Sequence, residues 1–132
     1  MTGMASESWL VLAQDDLATA EALLGTMPRL CLRIGLQCHG AVKKVLTAAY
    51  IQHHGKAPVE TEGIEHLLAK LPGTTDREAR ILQTIEWLNT YPILQSMESQ
   101  DLGDLAALLT QEKTVELLGR TKELCEWIKA RL

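Results

Sequence analysis

Apolar residues recur three and four positions apart in five separate stretches of this chain, and nowhere do they alternate at period two for long. That spacing puts one apolar stripe on a helix and excludes a sheet. In the first stretch the stripe is Trp9, Leu12, Ala13, Leu17, Ala20, Leu23 and Leu24. Ser6 or Ser8 is placed to cap it, and Gly25 and Pro28 end it. A second helix is expected over residues 29–54, with Cys31, Ile34, Cys38, Ala41, Val42, Val45, Leu46, Ala49 and Tyr50 inward. Gly55 follows as the natural C′ residue, and Pro58 comes three residues on.

A third, short helix is expected over about 61–71, closed by Pro72-Gly73. Thr75-Asp76-Arg77-Glu78 matches the S/T-x-x-E capping box. It opens a fourth helix with Ile81, Leu82, Ile85 and Leu88 inward, which Tyr91-Pro92 stops. A polar loop runs to about Ser99. Asp101 or Asp104 then caps a long last helix with Leu105, Leu108, Leu109, Val115, Leu118, Leu124, Cys125 and Ile128 inward. Glu112, Glu116, Arg120 and Glu123 form its solvated face. The expected fold is all-α: an up-and-down bundle of four long helices plus one short helix. The 132 residues suit one domain, with residues 1–6 as a loose lead-in.

Composition agrees. The chain is 46% hydrophobic but has no Phe and only 4% aromatic residues, so its core must be Leu, Ile, Val and Ala. A net charge of −4 makes it a poor partner for duplex DNA, whose affinity comes mainly from phosphate neutralisation. No apolar run approaches the ~20 residues that span a bilayer, so no membrane partner is expected. No export leader opens the chain, and the three cysteines lack C-x-x-C spacing. Both point to a cytoplasmic protein with reduced thiols.

Catalytic motifs are sparse. G-x-x-x-x-G-K-[ST], G-x-S-x-G and H-E-x-x-H are all missing, and Cys38 beside His39 is no pair because adjacent helical side chains diverge. No catalytic residue and no cofactor are assigned. His39 and His53 lie ~21 Å apart on one helix, and Glu62 with His66 would give only two ligands, so no metal site is expected. Arg33 and His39 point ~120° apart and ~9 Å along the axis, which keeps them from one phosphate unless Gly35 permits a kink. Lys43 and Lys44 diverge by ~100°. Lys44 flanks the small-residue face, where a lysine either snorkels past the core or lines a cleft for an anion. Trp87 falls on the face of Arg80 and Thr84, outside the stripe. It needs a partner, in a dimer, a tertiary contact or a stacked base.

Several of these stretches together resemble the HEPN domain family, the higher-eukaryote and prokaryote nucleotide-binding family. Trp9, Ala13, Asp16, Leu17, Ala20, Leu23 and Leu24 match its W-x-x-x-A-x-x-D-L-x-x-A-x-x-L-L opening. Ala41, Lys44, Leu46 and Ala48 match its Q-A-x-E-K-x-L-K-A signature. Thr61 and the run from Ile64 to Leu68 look like its T-H-D-L-x-x-L segment, and Tyr91-Pro92 like its R-Y-P turn. Gly40, Lys43, Thr47, Glu62, Gly63 and Thr90 stand where the family has other polar residues. The apolar frame is kept while polar positions change.

The resemblance implies a helical bundle, commonly a homodimer, often paired with a minimal nucleotidyltransferase in toxin–antitoxin gene pairs, and it implies nucleotide binding. Lys44 and Tyr91 carry over as candidate nucleotide-binding residues. Arg33 and His39 are added from their own spacing, and Trp87 is an interface candidate. The leading expectation is a non-catalytic module that dimerises and binds a protein partner and a nucleotide. One alternative is a HEPN ribonuclease toxin acting on RNA through Arg33 and His39. The other is a purely structural interaction domain.

Overall fold

The structure, a computed structural model, describes residues 5–59, 62–74 and 77–132. Among these residues it is helical, with no strand: α1 Ser6–Thr26, α2 Cys31–His54, α3 Ile64–Ala69, α4 Ala79–Leu88, α5 Thr90–Gln95 and α6 Gln111–Lys129, with 3-10 turns at Ser99–Asp101 and Gly103–Leu108. The all-α bundle expected from the spacing is borne out. Its pieces are cut differently, since three helices are long, at 21, 24 and 19 residues.

α2 is the centre and packs against every other α-helix. Eleven of its residues are buried, from Cys31 to Ala49. Gly55 ends it at φ 73°, a left-handed conformation open to glycine, and its N–H donates to the Ile51 carbonyl at 2.8 Å. α1 runs antiparallel beside α2. It gives only Ala13, Leu17 and Ala20 to the buried interior, and the two alanines let the helices approach closely. Its N-cap is Ala5, not Ser6 or Ser8, and no side chain caps it. α6 closes the bundle, tied to α1 by Lys122–Glu21 and to α4 by Arg80 on Glu123.

Pro92 sits inside α5 rather than ending a helix. It is the third residue there, where the proline ring is tolerated and its missing N–H has no intrahelical acceptor to lose. Asn89 is the single residue between α4 and α5, and its backbone is itself in the right-handed helical region. Tyr91 lies wholly in the interior.

The last helix begins at Gln111, not near Asp101 or Asp104. Its cap is Thr110, whose hydroxyl accepts from the Lys113 N–H at 3.2 Å. Two residues expected inward are outside: Leu82 is 40% exposed and Val115 51%. Threonines take the inner places. Thr84, Thr114 and Thr121 are buried, and each hydroxyl donates to the carbonyl four residues back, at 2.9, 2.7 and 2.8 Å. Thr75 and Asp76 of the expected capping box, and Thr61, lie outside the described residues; α4 starts after Glu78, with no side-chain cap.

Candidate functional site

Lys44 reaches a concavity between α1, α2 and the segment that follows α2. The cavity is about 400 Å³ and is lined by Trp9, Gly40, Lys43, Lys44, Thr47, Ala57, Pro58, Val59 and Leu67. One wall is cationic and one apolar. The Lys44 Nζ donates to Asp16 Oδ2 at 2.5 Å across the α1–α2 seam. A Cβ at residue 40 would sit 3.0 Å from that carboxylate oxygen, so Gly40 makes the room for the pair. The Lys44 and Asp16 side chains are 31% and 19% exposed, wet enough that their pairing is worth about 1 kcal/mol or less. An incoming anion can therefore exchange with Asp16 at small cost. The Trp9 indole N–H is buried and has no hydrogen-bond partner among the described residues. The Lys44 ammonium, one unmatched indole donor and an apolar wall suit a flat organic anion.

Tyr91 lies elsewhere. Its ring presses on Gly35 of α2 so closely that a Cβ there would come within 2.2 Å of Cδ1 and Cε1. Its hydroxyl accepts from Trp87 Nε1 at 3.0 Å, and burial pushes its pKa up to about 12. Gly35 thus serves close approach. Trp87 meets its partners within the chain: Tyr91 on one side, and Lys113 Nζ 5.7 Å from the ring centre. His39 is half-buried and hydrogen-bonds Asn89. Burial first, then the Lys43 charge, hold its pKa below the usual histidine value, while the Asn89 bond opposes them. Its neutral form is favoured.

Arg33 faces a second cavity of about 670 Å³, at the start of α2, together with Arg29. The structure therefore divides the sequence candidates. Lys44 has one cavity, Arg33 another, and His39 and Tyr91 line neither. Trp9 and Arg29 were not singled out by sequence reasoning. Trp9 counts there as a stripe residue and a position of the opening motif with no ligand role, and Arg29 as one charge in a turn. Only the fold shows what each faces.

No group of three or more His, Cys, Asp or Glu side chains able to hold a metal ion exists among the described residues. Glu62 is paired with Lys70 rather than joined to His66. The three cysteines are free and buried, and burial raises the Cys38 thiol to about 11 and the Cys125 thiol to about 12. No helix of the described residues is long and apolar enough to cross a membrane.

No curated protein matches the sequence. Among solved structures, the crystal structure of TT1696 from Thermus thermophilus is similar, with a TM-score of 0.75 over 96% of this chain and 98% of that one. At 20% identity the likeness is one of fold. The family model for the HEPN domain matches residues 6–131. With that match running from the first residue of α1 past the end of α6, the chain belongs to the HEPN domain family.

Proposed function

We propose that this protein is a non-catalytic HEPN module that takes a nucleotide in the Lys44 cavity. The observation that carries the reading is the convergence of Lys43, Lys44 and Trp9 on one concavity with an apolar far wall. Ammonium groups suit phosphate oxygens, and an indole beside aliphatic residues suits a base. About 400 Å³ lies within the ~300–1,000 Å³ of ordinary small-ligand sites. Asp16 holds Lys44 in place until the phosphate arrives. In the sequence, Lys44 also matches the lysine of the family's second-helix signature.

The test is calorimetric titration with ATP, GTP, CTP and UTP in turn. Saturable heat with at least one, lost in Lys44→Gln, is expected. The same preparation incubated with RNA is expected to leave it intact; cleavage lost in His39→Ala would favour the ribonuclease reading instead. Against that reading, Arg33 and His39 face different surroundings within one chain. A general acid or base has to lie within hydrogen-bond reach of the group it serves. The homodimer and a minimal nucleotidyltransferase partner belong to this proposal through the sequence resemblance. Sedimentation tests the first, and mixing with such an enzyme tests the second.

A further inference from the structure

We infer that the second cavity, at the entry to α2, is a separate site for an amphipathic organic anion: a single carboxylate or phosphate head on an aliphatic body. Most of the chain's cations are committed to acids. Lys44 meets Asp16, Arg77 meets Glu65, Arg80 meets Glu123 and Arg120 meets Glu116. Arg29 and Arg33 have no ion pair or hydrogen-bond partner among the described residues, and both line this one cavity. No carboxylate stands among its lining residues. In a chain of net charge −4 with 17 acids, that pairing of two unmatched guanidinium groups is selective.

The remaining wall is aliphatic. Leu23 comes from α1, Leu30, Leu32 and Leu36 from the start of α2, and Leu109 from the stretch before α6. Gln37 and Gln95 add neutral amides beside the arginines. The head is thereby specified as a carboxylate or phosphate, which the guanidinium fork takes bidentately. The leucines specify a tail that a nucleotide lacks. At about 670 Å³ the concavity has the scale of a small-ligand site. This site shares no lining residue with the Lys44 cavity, so the two proposals stand or fall apart.

Calorimetry with hexanoate, octanoate and decanoate, then with decyl phosphate, tests the inference. Affinity is expected to rise about threefold or more per methylene, because each buried methylene adds transfer free energy. In the double variant Arg29→Gln/Arg33→Gln it is expected to fall about tenfold or more. Both arginines are exposed, so circular dichroism should show an unchanged fold. Lys44→Gln should leave decanoate binding as it was, whether or not it abolishes a nucleotide's. Tighter decyl phosphate than decanoate would identify the head as a phosphate, and the reverse order a carboxylate. The inference is overturned if millimolar decanoate gives no heat, if acetate binds as well as decanoate, or if the double variant binds unchanged.

Discussion

Gly35 and Tyr91 show how one residue fixes another. The Tyr91 ring occupies the space a Cβ at residue 35 would need, and that ring is fully buried, so it cannot move aside. Gly35→Ala is expected to destabilise the protein by about 1–3 kcal/mol, the usual range for overpacking, read as a lower urea midpoint with the slope unchanged. His39 gives a second prediction at this scale. Its pKa is lowered in the fold, so near and below pH 6.5 the unfolded chain binds more protons than the native one. Stability from neutral His39 is therefore complete above pH 6.5 and declines as pH falls below it. Urea midpoints at about pH 7 and about pH 5.5, on either side of the ordinary histidine value, should separate more for the wild type than for His39→Gln. An equal separation would contradict the neutral, half-buried imidazole.

At the scale of elements, boundaries were the least legible part of the sequence. Gly55 announced the end of α2, because left-handed backbone has a residue preference readable from sequence alone. Thr110 did not stand out, since Asp101 and Asp104 are equally good caps taken in isolation. The stretch holding Asp101 and Asp104 winds instead into 3-10 turns, with Leu102 and Leu105 packed against the core. Thr110→Ala should cost about 1 kcal/mol in a chemical unfolding curve, while Asp101→Ala and Asp104→Ala should cost little. Leu82 and Val115 were misplaced for one reason. Hydrophobicity nominated them, but the angle set by Ile81, Ile85 and Leu88, or by Leu118, Cys125 and Ile128, favours Thr84, Thr114 and Thr121. A threonine satisfies its hydroxyl on its own helix and can then lie inside. Tyr91-Pro92 was read as a stop because proline usually ends what precedes it; here it opens α5.

For the whole molecule, the fold was legible and the candidate site only half so. Five apolar stripes sufficed for the bundle, since each needs another to bury it. Lys44 was legible through its place beside the small-residue face. Trp9 was not, because a stripe assigns it to the core and says nothing of the cavity it borders. The Arg33–His39 spacing was legible yet led to two separate environments, as a straight helix requires. The central claim is that a nucleotide enters the cavity shared by Lys43, Lys44 and Trp9. A ¹H–¹⁵N spectrum tests it directly, because the chain has three tryptophans and only Trp9 lines that cavity. On titration with nucleoside triphosphates the Trp9 indole signal should shift and saturate, the Trp87 and Trp127 signals should hold, and Lys44→Gln should abolish the shift. A Trp9 signal unmoved at millimolar concentrations of all four would contradict it.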